Sequence, residues 1–213
     1  LEYPIKVKKN FKGDIISVKG LNQFQSFKYN VPGDISSASF FIVLTILSNN
    51  SKMIIKNVNV NKSRIGIIKI LNMMGAGIQF KNKKVYNGEK IADIIVKSKQ
   101  KLKSVNCPSN LNSSAIDEFL IIFLVAAKSK GISKFKNLGE MNKKESKRLD
   151  LGIKFLKLIG IKVERFKNDI KIYGNPNLSL SGNYEIKKFL KDHRIFFLSC
   201  IAALTLGGNW KIN

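Results

Sequence analysis

The chain has 213 residues, of which 44% are hydrophobic, and its formal net charge at pH 7 is +24. This length and hydrophobic content can form a substantial buried core, which excludes a disordered tail. The longest unbroken apolar stretch, residues 119–127, is too short to span a bilayer, because a membrane helix needs about 20 residues.

The charge comes from 38 Lys and Arg against 14 Asp and Glu, and it first suggests nucleic acid as a partner. The lysines are spread over nearly every segment together with abundant Asn and Ile, so we interpret the charge as a bias of composition. Zinc-finger, helix-turn-helix and aromatic-basic strand motifs are not visible. We expect no specific nucleic acid partner, with a basic nucleic-acid-binding α/β module kept as an alternative.

Residues 1–31 predict two short strands, Ile5–Val7 and Ile15–Val18, on either side of Gly13-Asp14. The string Val31–Asp34 separates them from the rest of the chain. We expect this opening segment to be the end of a preceding domain.

From Ser36 onward one order of elements recurs: an apolar helix, a strand, an amphipathic helix and a strand that comes after glycine. The first copy predicts them at 38–47, 53–55, 63–74 and from 78, the second at 117–127, 132–135, 144–158 and from 161. A third copy starts a helix at Asp192, continues to Leu206 and ends in a strand at 210–212. The first helix of each copy is apolar nearly all round, which predicts burial between layers.

Alternation of helices and strands predicts the α/β class. The segments 161–163 and 170–172 flank Lys167-Asn168-Asp169 and predict a hairpin, so we expect mixed sheets.

Only four basic residues are arginines: Arg64, Arg148, Arg165 and Arg194. A planar guanidinium binds carboxylate or phosphate through two parallel hydrogen bonds, which lysine cannot do. Two of these arginines stand beside carboxylates in the strings Lys144–Leu149 and Asp192–Arg194. This arrangement indicates an anionic, phosphate-bearing substrate.

Five strings in this order resemble the 5-enolpyruvylshikimate-3-phosphate (EPSP) synthase family of enolpyruvyl transferases: Val31–Ala38, Met74–Ile78, Ile116–Glu118, Lys144–Leu149 and Asp192–Arg194. The resemblance covers essentially the whole chain. It implies two lobes of repeated βαβαββ units, with residues 1–31 ending one lobe and 32–213 forming the C-terminal lobe, truncated at its end. The family's further phosphate-binding residues would precede residue 1, and a lysine segment would come after Asn213. We therefore expect a fragment that is inactive alone.

The resemblance also implies roles for individual residues. Asp117 would contact shikimate 3-phosphate and accept its proton, and Glu145 would stand beside the enolpyruvyl methylene. Glu140 and Lys144 would bind shikimate 3-phosphate. Arg148 and Arg194 would bind phosphoenolpyruvate, and His193 would support them. The family is a cytoplasmic, cofactor-free and metal-free enzyme of the shikimate pathway, which leads to chorismate and the aromatic amino acids, and we expect a monomer without membrane contact.

Spacing alone supports simpler interpretations of several of these residues. Ser114-x-x-Asp117 is also a helix capping box, and Glu145 and Arg148 also form an ordinary i,i+3 ion pair. Asp192 is also a helix N-cap, and a single histidine such as His193 is often structural.

Three further polar residues are assigned structural roles. Ser36 and Ser37 are expected to cap the first apolar helix, since the sequence places no base near them. Arg64 is expected to organise the first repeat.

The chain departs from the family at two positions near Glu145. Members usually have Arg and Asp where this chain has Asn142 and Lys147. We expect Glu145 to lose two supporting partners.

The two cysteines, Cys107 and Cys200, are expected to be reduced, which favours the cytoplasm. A UDP-N-acetylglucosamine enolpyruvyl transferase-like enzyme is the alternative enzyme, although that family lacks the last two strings.

Overall fold

The computed structural model describes residues 5–20, 26, 28–99, 101–187 and 192–213, and the chain divides into two compact units, Leu1–Val31 and Pro32–Asn213. In the first unit, β1 (Ile5–Lys8) and β2 (Ile15–Val18) pair antiparallel, which confirms both predicted strands. That this unit ends a preceding lobe stays a prediction.

The second unit alternates helices and strands as the repeat predicts. Its elements are α1 (Ile35–Leu47), β3 (Lys52–Asn59), α2 (Gly66–Met73), β4 (Gln79–Tyr86), β5 (Glu89–Lys97), α3 (Asn112–Ala115), α4 (Phe119–Lys128), β6 (Gly131–Phe135), α5 (Arg148–Leu158), β7 (Val163–Phe166), β8 (Asp169–Gly174), β9 (Leu180–Ile186), α6 (His193–Leu206) and β10 (Gly207–Ile212). Short 3₁₀ turns at Ser109–Leu111 and Gly139–Lys143 precede α3 and α5.

The first two repeats each form a sheet of three antiparallel strands, ordered β3-β5-β4 and β6-β8-β7. A parallel bridge adds the segment before each first helix: Gly33 to Val58 in the first repeat, and Lys103 to Lys130 in the second. Each repeat is thus a bridging segment, a helix, a strand, a helix and two strands. The predicted mixed sheets and the hairpin of β7 and β8 are confirmed, and β9 and β10 pair in parallel across α6.

Helix α4 is the centre of the core. Every residue from Phe119 to Ala127 is buried, and the helix contacts α1, α2, α5, α6 and β8. This confirms the burial predicted from its all-apolar surface. Helix α6 differs from the prediction, because Phe196, Phe197 and Leu204 are exposed while its opposite side is buried.

Two register shifts place asparagines of the edge strands β3 and β4 beside Asp93 of the central strand β5. Asn57 in β3 and Asn82 in β4 both have left-handed backbone conformations, with φ of 53° and 50°, where the strand register shifts. The Asn57 backbone N–H and the Asn82 amide each donate to one oxygen of Asp93, at 2.9 and 2.7 Å. These hydrogen bonds hold both edge strands against β5.

The amphipathic helices begin later than the sequence predicts. Helix α2 begins at Gly66 rather than Ser63, and α5 begins at Arg148 rather than Lys144. The residues from Lys144 to Ser146 therefore belong to a loop. For α5 the structure shows why: Asn142 Oδ1 accepts from the Leu149 N–H and satisfies a donor at the helix start.

Gly66 makes the closest approach between α2 and α3. A Cβ built at this position would lie 2.5 Å from Ser114 Oγ and 2.6 Å from its carbonyl carbon, and backbone atoms cannot yield cheaply. We expect Gly66→Ala to lower the free energy of unfolding by about 2 kcal/mol or more through overpacking. Denaturant unfolding measures this loss.

Gly33→Ala is the matched control, because a Cβ there would meet its neighbours at an ordinary 3.6 Å. Equal unfolding free energies for the two variants would contradict the close contact at Gly66.

Candidate active site

A buried guanidinium, that of Arg148 at the first residue of α5, is the centre of the site. Its side chain is 2% exposed, and each of its three nitrogens donates to a different carboxylate. The partners are Asp192 at 2.9 Å from Nε, Asp117 at 3.0 Å from Nη1 and Glu145 at 2.5 Å from Nη2. A buried charge needs such partners, because losing its hydration is costly.

Asp192 is the N-cap of α6, as the sequence predicts, and its carboxylate has two further donors. It accepts from the Arg194 backbone N–H at 2.9 Å, from Ser146 Oγ at 2.6 Å and from Arg148. Burial alone would raise the pKa of this carboxyl group, but the hydrogen bonds from Ser146, Arg148 and Arg194 outweigh burial and hold the pKa below its ordinary value. Asp192 thereby connects the start of α6 with the loop before α5.

Asp117 lies in the turn between α3 and α4, where three cations approach it. In addition to Arg148, Lys144 Nζ lies 3.5 Å from Oδ1 and Arg194 Nη2 lies 4.0 Å from Oδ2. Arg194 Nη1 also donates to the Asp117 carbonyl at 2.8 Å. The capping-box interpretation is wrong, because Ser114 Oγ donates to the Leu111 carbonyl.

We call the set of Asp117, Lys144, Glu145, Arg148, Asp192 and Arg194 the arginine cluster. Glu145 is its most exposed acid, with 65% of the side chain accessible. It does pair with Arg148 three residues later, but it lies in the loop before α5 rather than on the helix. An exposed carboxylate beside a buried cation can reach a bound ligand.

The other two predicted site residues lie at the edge of this arrangement. Glu140, in the 3₁₀ turn before α5, is exposed and pairs with Lys143 at 2.8 Å. His193 is exposed at the first residue of α6. The ion pair of Glu140 does not include a member of the arginine cluster, so its role stays a prediction.

Arg194 has unused donor capacity. Its Nε is buried and has no hydrogen-bond partner in the part of the chain that the structure describes. A buried, unpaired donor is costly, so a ligand that accepts from it would be favoured.

Ser36 and Ser37 do not cap α1 as predicted. The N-cap is Asp34, whose carboxylate accepts from the Ser37 N–H at 2.8 Å and its hydroxyl at 3.0 Å. Ser36 Oγ instead donates to Glu118 at 2.5 Å and accepts from Arg64 Nη2 at 3.0 Å. Arg64 thus organises the start of the first repeat, as expected.

Sequence reasoning did not single out Glu118. The only signal was an acid immediately before an all-apolar run, where a carboxylate must be either solvated or paired. Burial raises the pKa of Glu118, and the hydrogen bond from Ser36 and the charge of Arg194 oppose that shift only in part.

Asn142 supports the helix that carries Arg148, rather than Glu145. Its Oδ1 accepts from the Leu149 N–H at 3.0 Å, and its Nδ2 donates to Asp150 at 3.0 Å. The side chain of the N-cap residue Lys147 makes no capping hydrogen bond. Asn142, which lies outside the helix, accepts from the first turn in its place. Asn142 therefore satisfies backbone donors that the helix start leaves unpaired.

Within the described ranges, no group of three or more His, Cys, Asp or Glu side chains is placed to hold a metal ion. Over the same residues, no helix combines the length and apolar character that crossing a membrane requires. Both cysteines are free thiols.

We expect Asp192→Asn to destabilise the protein at neutral pH by about 3 kcal/mol, because Arg148 keeps its charge and loses a buried partner. The folded-state pKa of Asp192 is lowered, so its stabilisation is present above its ordinary pKa and disappears as the pH falls through the folded value. The difference in unfolding free energy between the two proteins should therefore shrink below roughly pH 4. Urea unfolding across a pH series measures it.

Asp14→Asn serves as the control, since it removes one negative charge at an exposed position. A loss for Asp192→Asn that stays constant at all pH values would contradict the assigned role of its carboxylate.

Comparisons with known proteins identify the family of this chain. Residues 2–213 match the model of the EPSP synthase (3-phosphoshikimate 1-carboxyvinyltransferase) family. The 3-phosphoshikimate 1-carboxyvinyltransferase of Petrotoga mobilis is 36% identical over 91% of this chain and 44% of its own length. That of Bacillus pumilus is 35% identical over 88% of this chain and 43% of its own length. The chain thus spans less than half the length of these curated relatives.

Solved structures show the same relationship. An EPSP synthase from Acinetobacter baumannii superimposes with a TM-score of 0.86 and 31% identity, covering 99% of this chain and 48% of that one. The enolpyruvyl transferase NikO from Streptomyces tendae has a TM-score of 0.67 at 11% identity, which shows a shared fold alone. This chain belongs to the EPSP synthase family.

Proposed function

We propose that this chain supplies part of the active site of an enzyme that transfers the enolpyruvyl group of phosphoenolpyruvate to shikimate 3-phosphate. The arginine cluster carries the proposal. It brings carboxylates that can exchange protons together with lysine and arginine side chains that can bind anions. The relatives of this chain are named for this reaction. In a cell the reaction would serve the shikimate pathway and aromatic amino acid biosynthesis.

The reaction is an addition and then an elimination, and it needs two acid/base groups. A shikimate hydroxyl loses its proton and forms a C–O bond at C2 of phosphoenolpyruvate, while C3 gains a proton. The second step removes a proton from C3, restores the double bond and breaks the bond from C2 to the phosphate oxygen. Phosphate leaves, and no electrons are exchanged with an outside reagent.

We assign the acceptor of the hydroxyl proton to Asp117. Its carboxylate is partly accessible, and Lys144 lies 3.5 Å away, where its ammonium can stabilise negative charge on the attacking oxygen. Glu145 is assigned to proton transfer at C3, because it is an exposed carboxylate whose orientation is set by Arg148.

The two arginines have different roles in binding phosphoenolpyruvate. Arg194 has a buried Nε without a partner among the described residues, so it is the stronger candidate for direct contact with the anion. Arg148 already donates to three carboxylates, so only its remaining N–H groups could reach a ligand. Glu140 would contact shikimate 3-phosphate and His193 would support Arg194, as the family resemblance implies.

The arrangement also favours this reaction over its alternatives. Lys144, Glu145 and Arg194 belong to the strings Lys144–Leu149 and Asp192–Arg194. The UDP-N-acetylglucosamine enolpyruvyl transferases lack both strings. We further propose a cytoplasmic monomer that uses no cofactor and no specific nucleic acid. Catalysis by positioning needs groups on all sides of the reacting atoms, so we expect this chain to be inactive alone.

The test of the function is two-substrate turnover by a full-length protein that carries this chain. Phosphate release should require both shikimate 3-phosphate and phosphoenolpyruvate. Glu145→Gln should lower kcat by roughly 10²–10⁴-fold with the fold intact, because the amide cannot transfer the proton at C3.

Glu164→Gln is the matched control, since Glu164 is an accessible glutamate that pairs with Lys171 on the second sheet. It should leave kcat unchanged. Near-normal turnover by Glu145→Gln would remove Glu145 from the chemistry.

Arg194→Lys keeps the charge and loses the forked geometry. We expect it to raise the KM for phosphoenolpyruvate about tenfold or more. Initial rates at varied phosphoenolpyruvate measure the change. Arg165→Lys is the control, because Arg165 pairs with Asp150 outside the arginine cluster. An unchanged KM and kcat for Arg194→Lys would show that only its charge matters.

A further inference from the structure

A second buried acid lies beside the arginine cluster, and no step of the proposed reaction uses it. Glu118 is 4% exposed, and its Oε1 accepts from Ser36 Oγ at 2.5 Å. Ser36 is the second residue of α1, the first helix of the first repeat, whereas Glu118 directly precedes α4, the first long helix of the second repeat. One hydrogen bond thus joins the equivalent helix starts of two repeats.

The Ser36 hydroxyl is held from the other side as well. Arg64 Nη2 donates to Ser36 Oγ at 3.0 Å and approaches Asp34 at 3.4 Å. With its oxygen accepting from Arg64, the hydroxyl proton of Ser36 is directed at Glu118. The residues form a chain from Arg64 through Ser36 to Glu118.

This series of hydrogen bonds ends at the turn that carries Asp117. Residues 116–118 separate α3 from α4, and the start of α4 has no side-chain cap of its own. The Glu118 N–H donates to Ala115 in α3, and the Glu118 carbonyl accepts from Ile122 in α4, both at 3.0 Å. The backbone of Glu118 is therefore fixed to both helices, and its side chain fixes the same turn to α1.

Asp117 and Glu118 are neighbours that face different partners. Asp117 meets Arg148 and Lys144, while Glu118 meets Ser36. Burying a carboxyl group costs free energy unless it is paired, so Glu118 has little freedom to leave Ser36. A displacement of Glu118 would move the adjacent Cα of Asp117 and its carboxylate with it.

We propose that Glu118, held by Ser36, is a positioning residue that fixes Asp117 against Arg148, Lys144 and Arg194. The inference rests on the proposed function of Asp117 as the proton acceptor. It adds that the position of the Asp117 carboxylate depends on the hydrogen bond between Ser36 and Glu118, which joins two repeats.

Ser36→Ala tests the proposal because it removes the hydroxyl that holds Glu118. Its free energy of unfolding is measured beside its turnover, so that the kinetics are read on folded protein. In the full-length protein we expect kcat to fall about tenfold and the KM for phosphoenolpyruvate to change less than about threefold, since displacement of a reacting group lowers turnover. Glu118→Gln should retain turnover within about threefold, because its amide oxygen can still accept from Ser36.

Thr45→Val is the matched control. It removes a buried hydroxyl from the same helix, where Thr45 Oγ1 bonds to the Phe41 carbonyl at 2.9 Å. Its kcat should stay within about twofold of the unmutated value. An equal loss in Thr45→Val and Ser36→Ala would assign the effect to general stability and overturn the proposal.

A double-mutant cycle separates positioning from simple support of the fold. If Ser36 acts through Asp117, then Ser36→Ala should lower kcat by less than about twofold in an Asp117→Asn background. If the two losses multiply, Ser36 and Glu118 do not act through Asp117, and the proposal is wrong.

Crystal structures of the unmutated protein and of Ser36→Ala give a result that does not depend on turnover. We expect the Asp117 carboxylate to leave hydrogen-bond distance of Arg148 in at least part of the molecules of the variant. An unchanged distance of about 3 Å would overturn the proposal. Absence of two-substrate turnover in the unmutated protein would instead overturn the proposed function, and the crystal comparison would still decide the role of Glu118.

Discussion

The burial of one guanidinium constrains the whole site. Arg148 is held by three acids that come from three separate parts of the chain: the turn after α3, the loop before α5 and the residue before α6. Desolvating its charge is tolerable only while all three parts are in place. Asp192 adds to this dependence, since the same carboxylate also caps α6. The site and the packing of α4, α5 and α6 therefore form together.

The two arginines of the site show how differently the same side chain can be used. Arg148 gives three of its five N–H donors to acids of its own chain and organises the loop around it. Arg194 is held by a backbone carbonyl and keeps a buried nitrogen unpaired within the described part of the chain. Only the second is left with a strong reason to bind an anion. The sequence alone treats both as equivalent ligand-binding groups, because both stand next to carboxylates in short strings.

Patterns repeated along the chain are sufficient to predict the α/β class, the repeat, the hairpin of β7 and β8 and the burial of α4. Local rules fail where a distant residue decides the outcome. Ser36 is a residue type that often caps helices, but Asp34 caps α1, and Ser36 bonds instead to Glu118, 82 positions away. The sequence suggests that Asn142 is a lost partner of Glu145, but Asn142 caps α5 from outside. A hydrogen bond as distant in sequence as that of Ser36 and Glu118 leaves no spacing pattern from which it could be found.

The left-handed asparagines at the two bulges affect the conformational entropy that the chain loses on folding. Glycine adopts such backbone angles readily, but it also gives the unfolded chain many more conformations to lose. Asn57 and Asn82 tolerate the same angles with a restricted unfolded backbone, and both also donate to Asp93. At these two positions asparagine therefore leaves the first sheet less conformational entropy to lose on folding than glycine would.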